Sequence, residues 1–371
     1  MTKMNSNSRF VEIKPVGYYF FGNERTSRTV NKDKYKQTVM NYFASSNLLP
    51  QQTALLGMLR YAILAWQDML NAPITDKEKI IGAGNFHFEK DTPYGWIERI
   101  SPLVLFKTET KEVFLPVGMD HQKYKGSKTG SSVQDVTLYY SSLTEKHYSG
   151  KVDHGLPVLN NYVYKEDMHS FWYSEKGESL SEKDIFKSIT KVGVDKEKKD
   201  EAFYKQTFHG LNKGFSFGLW IDFTESADIS KLTKNEIIVP FGADQGMFRL
   251  KLVDDIDSVF QTKDKPSTKV QKVVLMSDSW ITDDFFNQIE FGITDYIDFR
   301  YIFSAKQNYY QMKEDAIRKN QADIETSMAA KSDKFVLMKR GSVIYPTPHF
   351  DFILLDHPAF QRIGYNIYKT I

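Results

Sequence analysis

The sequence predicts an α+β fold, two open-faced sheets side by side with a projecting insertion. Three observations carry this expectation. Stretches that alternate apolar and polar residues, as half-buried strands do, recur along nearly the whole chain. One stretch, YFASSNLLPQQTALLGMLRYAILAW at 42–66, instead repeats apolar residues at three- and four-residue spacing, as a helix does. Strand and helix patterns come mixed, twice over, without regular βαβα alternation, and no repeat recurs at a fixed period.

The bulk numbers fit. The 371 residues are comfortable for two domains, and 41% hydrophobic with 14% aromatic content gives a sizeable core and argues against global disorder. Cysteine is absent, which excludes disulfides, zinc–thiolate sites and thiol nucleophiles and fits a reducing cytoplasm. A net charge of +2, from 49 basic and 47 acidic residues, is not that of a generic polycation. Any nucleic-acid contact must therefore come from local clustering. The first residues, MTKMNSNSRF, lack an apolar signal core, and no run approaches the ~20 apolar residues of a membrane span. The expectation is a cytoplasmic protein without a membrane segment.

In chain order, residues 10–16 alternate as a strand, and Pro15 places its end at a sheet edge. An aromatic block framed by Gly17 and Gly22 runs into Asn23, Glu24 and Arg25. The polar residues 27–36 read as a mobile surface loop. Ser45, Ser46 and Asn47 form a polar corner before Pro50, where a helix can begin without losing a needed N–H. Leu55, Leu59, Ile63 and Trp66 mark its apolar face, and Thr53, Gly57 and Arg60 the opposite one. Gly57 costs about 1 kcal/mol relative to Ala inside a helix, which suggests something close against its backbone. Free N–H groups in the first turn suit phosphate, with Arg60 adding charge. The same pattern also fits an ordinary core helix with Gly57 at a helix–helix contact.

Residues 101–107 and 112–117 read as strands joined by a charged turn. Residues 118–177 interleave Lys123, Lys125, Lys128, Lys146 and Lys151 with Tyr124, Tyr139, Tyr140, Tyr148 and Tyr162. That composition suits either a solvated insertion or a hairpin gripping single-stranded nucleic acid. Further strands are expected at 203–208, 215–223, 247–252, 270–276 and 296–303. Residues 280–286 read as helical, and the polar stretch 307–330 as the longest late helix. Strands at 335–339 and 342–345 surround Arg340-Gly341, and the C-terminal FQRIGYNIY places Arg362 near Gly364 and Asn366.

Catalytic patterns are missing. Gly82-Ala83-Gly84 opens a dinucleotide fingerprint whose third glycine is His87, and Gly126-Ser127-Lys128-Thr129 breaks the phosphate-loop order. H-E-x-x-H does not occur. Asp278, Asp283 and Asp284 read as a turn with an acidic helix start, or as a carboxylate cluster. His209 beside Gly210 reads as a structural histidine, or as a general base. No metal, cofactor or catalytic group is expected.

Five blocks carry a resemblance. YFFGNERT and YFASSNLLPQQTALLGMLR, then KVGVDKEKKDEAFYKQTF, VLMSDSWI, and KRGSVIYP followed by FQRIGYN, resemble in order and spacing the Cas5-like RAMP subunit of type III-B CRISPR effector complexes, the third subunit of the Cmr complex. The likeness runs over residues 11–368. It implies two ferredoxin-like (RRM-like) domains, at 1–190 with a thumb-like insertion at about 118–177, and at 191–371. It implies a non-catalytic role holding the 5′ repeat-derived tag of the CRISPR RNA, with the large polymerase-type signalling subunit and a backbone RAMP subunit as partners. The family's C-terminal glycine-rich loop is reduced here to Arg362-Ile363-Gly364-Tyr365-Asn366. The expected RNA contacts are Asn23, Arg25, Ser46, Asn47, Gln51, Thr53, Gly57 and Arg60. Lys191, Arg340 and Arg362, each close to a glycine, come next, then Tyr124, Tyr139 and Tyr140 as stacking rings. A CRISPR-RNA processing endoribonuclease of the same superfamily, using His87, His209 or Tyr18 with Arg25, is the alternative from another class. The equivalent subunit of another type III subtype is a further one.

Overall fold

The computed structural model describes residues 7–22, 26–32, 37–123, 138–140, 143–146, 157–159, 171–195, 202–230, 232, 236–244, 246–260, 270, 272–308 and 325–371. Its centre is a nine-stranded antiparallel sheet. In spatial order the strands are Ser179–Ser181, Phe171–Ser174, Glu112–Pro116, Val104–Lys107, Phe215–Phe223, Ser8–Pro15, Met247–Val253 and Ile237–Pro240. Ile97–Ile100 also pairs with Phe215–Phe223. The first strand is thus interior, with Val11 opposite both Leu219 and Leu252. This corrects the edge position inferred from Pro15, which is only the strand's last residue.

Alternation along the strands splits the sheet into two apolar faces. One carries Val11, Ile13, Phe217 and Leu219 against helix α1 (Gln52–Trp66). Leu55, Leu59 and Ile63 of α1 are fully buried there, each contributing about 1.5–3 kcal/mol. The other face carries Phe10, Phe106 and Trp220 against Val274, Val343 and Tyr345. Those three belong to a second, four-stranded sheet of Ile289–Ile293, Val343–Pro346, Val273–Leu275 and Tyr368–Thr370. Strands from before and after residue 190 share the central sheet, since Ser8–Pro15 lies between Phe215–Phe223 and Met247–Val253. The change of sheet comes between Val253 and Val273.

A third sheet joins Phe186–Asp195, Ala202–Leu211, Gln37–Asn47 and Phe21–Gly22, with Thr26–Lys32 on the far side of Gln37–Asn47. Two expectations change here. Residues 26–32 are a strand rather than a loop, and Ser45-Ser46-Asn47 ends a strand rather than making a corner. Of the helix expected at 307–330, residues 309–324 lie outside the described residues, and the two ends are strand rather than helix, since Ile302–Asn308 and Glu325–Lys331 pair antiparallel. Of the expected helix at 280–286, one turn forms, Asp283–Phe286. Asp283 and Asp284 lie in its first turn, as the simpler reading of those acids had it. Most of the expected insertion lies outside the described residues, and its last strand, Phe171–Ser174, belongs to the central sheet.

Candidate nucleic-acid interface

The start of α1 is not an open anion seat. The hydroxyl of Tyr365, buried under the helix, accepts the Gln52 N–H at 3.2 Å. Burial drives the Tyr365 pKa far above the ordinary tyrosine value, so the group is a neutral hydroxyl cap. Gln52 is 2% exposed, and its Nε2 donates to the carbonyls of Ser101 (2.9 Å) and Ile363 (3.0 Å). Gly364, at φ +82°, lies so close that a Cβ would come 2.1 Å from Gln52 Nε2 and 2.5 Å from the Ser101 carbonyl. Asn366 completes the turn, exchanging hydrogen bonds with the Trp280 backbone at 2.9 Å. The C-terminal motif is therefore a buried clasp on the first turn of α1. Gly364→Ala is expected to cost at least about 1–2 kcal/mol from the left-handed backbone alone. Urea melts would read this as a lower midpoint with an unchanged slope.

Several expected RNA cations have protein partners. Arg60 donates to the Gly84 carbonyl at 3.0 Å and also to the Gly82 carbonyl. It thereby holds the loop that follows helix α2 (Ile74–Ile81). Burial lowers its pKa, though a guanidinium stays charged. Arg340 is paired through two nitrogens with Asp278, at 3.2 and 3.3 Å, and both side chains are largely buried. Arg362 pairs with Asp91 and donates to the Thr92 carbonyl at 3.1 Å. Ser46 is buried, its Oγ accepting the Phe21 N–H and donating to the Asn47 carbonyl, both at 2.8 Å. Arg60→Ala is accordingly expected to leave the salt dependence of RNA binding unchanged while destabilising the fold by about 1–3 kcal/mol. A salt series and a thermal melt on one variant check both.

What remains open on α1 is one stripe. Gly57 is exposed, and a Cβ built on it meets nothing within 4 Å, which removes the helix–helix contact as its explanation. Thr53, half-buried, stands one turn before it, and Tyr61, 40% exposed, one turn after. The i, i+4 spacing puts all three on one face. Gln51 leads into this stripe, and its side chain makes no capping bond. Asn47 is half-buried at the end of the preceding strand. Tyr61 was not among the expected residues, although its position four after Gly57 was readable. Lys191 is exposed and lies over the Phe208 ring, 4.4 Å from its centre. Asn23, Arg25 and Tyr124 lie outside the described residues. Tyr139 and Tyr140 fall on the strand Leu138–Tyr140, whose side chains also lie outside them.

The two candidate histidine bases have hydrogen-bond partners. His209 Nε2 donates to the Ser46 carbonyl at 3.0 Å, which leaves Nδ1 to accept the Ser188 hydroxyl at 2.8 Å. Burial lowers its pKa and keeps it neutral. His87 Nδ1 accepts the Glu89 N–H at 3.2 Å. Among the described residues no cluster of three or more His, Asp or Glu could hold a metal ion. No helix among them is long and apolar enough to cross a membrane.

The model of the CRISPR-associated protein (Cas_Cmr3) family matches residues 11–288, and the chain belongs to that family. It is thus a RAMP subunit of a type III CRISPR effector complex, of the Cmr kind that the sequence blocks resemble. No curated protein matches. Among solved structures, the chain is similar to one in "Cryo-EM structure of the Type III-B Cmr-beta bound to cognate target RNA". The identity is 14%, with 97% of this chain and 96% of that chain covered and a TM-score of 0.46. A chain of "Crystal structure of Csm3-Csm4 subcomplex in the type III-A CRISPR-Cas interference complex" shares 11% identity over 91% and 92%, with a TM-score of 0.35.

Proposed function

We propose that this subunit is non-catalytic and holds the 5′ repeat-derived tag of the CRISPR RNA along the exposed stripe of α1. In this reading it is built as two ferredoxin-like units and docks the large polymerase-type signalling subunit and a backbone RAMP subunit. The observation that carries it is Gly57, which sits mid-helix at a cost of about 1 kcal/mol with no protein neighbour to justify it. The gap it leaves between Thr53 and Tyr61 lets a sugar–phosphate backbone approach the helix. The Thr53 hydroxyl and Gln51 amide offer donors to phosphate oxygens or base edges, and the Tyr61 ring offers a stacking surface. The tied His209 supports the non-catalytic part, since a nuclease needs a base free to take a proton from the attacking hydroxyl.

The test is filter binding of the purified protein, alone and co-expressed with its partner subunits, to tagged CRISPR RNA and to the same RNA without the tag. Tag-dependent binding without cleavage is expected. Equal binding to both RNAs in the assembled complex, or metal-independent cleavage of repeat RNA, would overturn the proposal.

A further inference from the structure

The third sheet carries a face that the α1 stripe does not use. Register and alternation put Ser188, Thr190 and Val192 on one side of Phe186–Asp195, opposite His209, Thr207 and Lys205. Lys205 and Thr207 in turn lie beside Phe43 and Ser45 of Gln37–Asn47. Two cross-strand contacts fix this side: Ser188 Oγ with His209 Nδ1 at 2.8 Å, and Thr190 Oγ1 with Thr207 Oγ1 at 3.2 Å.

The face is open. Residues 187–192 are all exposed, Val192 at 69% and Phe43 at 41%, and Lys205 and Ser45 are exposed as well. Its chemistry is graded along the strands. The outer row is Val192, Lys205 and Phe43. The next row is three hydroxyls, Thr190, Thr207 and Ser45. The inner row is the Ser188–His209 pair. No acidic residue points to this side among the described residues.

Charge identifies the occupant. The sheet's five strands contain five Lys or Arg residues and one Asp, an excess of four in a chain whose net charge is +2. The rest of the chain is therefore net acidic; within the basic sheet, alternation puts Lys187, Lys191 and Asp195 on the opposite side and Lys205 on this one. A polyanion is drawn to it, and an exposed ring beside a cation and a row of hydroxyls suits unpaired nucleotides rather than a duplex.

We propose that this face is a second, sequence-independent contact for single-stranded RNA. Phe43 stacks a base, Lys205 neutralises a phosphate, and Ser45, Thr190 and Thr207 bond the sugar–phosphate backbone. The contact rests on the reading that the chain binds RNA, but not on its recognising the tag. The strand bearing Phe43 and Ser45 runs on through residues 48–51 into α1, so one RNA strand can pass from this face to the α1 stripe.

The experiment uses the full chain, alone and in its complex, with tagged and untagged CRISPR RNA across a salt series. Phe43→Ala should weaken both RNAs by about tenfold, a typical loss for one stacked base. Lys205→Ala should lower the slope of log K against log salt by about 0.7, one phosphate on a single strand. The ratio of tagged to untagged affinity should not change in either variant. Both substitutions are at exposed positions, and a thermal melt checks that the fold persists. Wild-type affinity and slope for both RNAs in the folded variants would overturn the inference. So would normal RNA binding with failure to assemble, which would make the face a protein-docking surface. A wild-type protein that binds RNA without tag preference, yet loses affinity in both variants, would sink the tag reading and leave this contact standing.

Discussion

Gly57→Glu abolishes RNA binding in a protein that still folds, with affinity expected to fall by more than about a hundredfold. The new side chain has room, since nothing lies within 4 Å of its Cβ, so its effect on stability is the ordinary helix preference for Glu over Gly. It fills the gap between Thr53 and Tyr61 and sets a carboxylate where the phosphate chain is proposed to run. Like charges brought together in a partly desolvated contact cost several kcal/mol, and each 1.4 kcal/mol is tenfold in affinity. Gly57→Ala separates bulk from charge. It should stabilise the helix by about 1 kcal/mol and weaken RNA binding only where the backbone is approached closely. Cooperative unfolding at wild-type temperature, with unchanged RNA affinity for Gly57→Glu, would show that the stripe is not the site.

The largest stability effect is expected from Lys272→Met. Lys272 Nζ donates to Asp120 Oδ2 at 2.6 Å, with the two side chains 1% and 0% exposed. Tyr345 donates to the same oxygen at 3.2 Å, and His121 Nδ1 meets Oδ1 at 2.7 Å. The pair ties the end of the central sheet's Glu112–Pro116 segment to the second sheet. Burial pushes the Asp120 carboxyl up, but the His121 hydrogen bond and the Lys272 charge outweigh it and hold the group below the usual carboxylate value. Removing the cation leaves a buried carboxylate without its counter-charge, a loss of about 3–5 kcal/mol. In the wild type, Asp120 has a depressed folded pKa. Its contribution is therefore complete above the unfolded value of about 3.9 and is lost as pH falls through the folded value. In the variant, burial acts on Asp120 without Lys272 and raises it, so protonation relieves the strain. The stability gap between wild type and Lys272→Met should narrow from pH 7 towards pH 4. Denaturant melts at both pH values read this, and Asp120→Asn added to Lys272→Met should recover part of the loss. A gap that widens in acid would contradict the assignment.

Local pattern carried much of the fold. The spacing of Leu55, Leu59 and Ile63 predicted α1, and alternation predicted most strands of the central sheet. What local pattern could not carry depends on distant residues. Arg60, Arg340 and Arg362 looked like phosphate cations because they lie near glycines. Sequence adjacency does not reveal that their acceptors are the Gly82 and Gly84 carbonyls, Asp278, and a loop 270 residues from Arg362. The cap on α1 comes from Tyr365, 313 residues away. The polar stretch at 307–330 read as a helix on polarity alone, and polarity without period says little about backbone state. The pairing of strands from either side of residue 190 is likewise invisible to local pattern, since register is set by which apolar faces meet. Gly57 was legible because a glycine inside a strong helical period is costly wherever it lies. Its companion Tyr61 follows from the same period, four positions on.

The most direct measurement is crosslinking with a CRISPR RNA that carries one photoreactive uridine in its 5′ tag, followed by mapping of the attached peptide in the assembled complex. Attachment within residues 51–61 is the predicted result. Attachment confined to residues 340–341 and 362–366, with none on α1, would contradict it. It would return the RNA to the arginines that the structure places in ion pairs and carbonyl contacts.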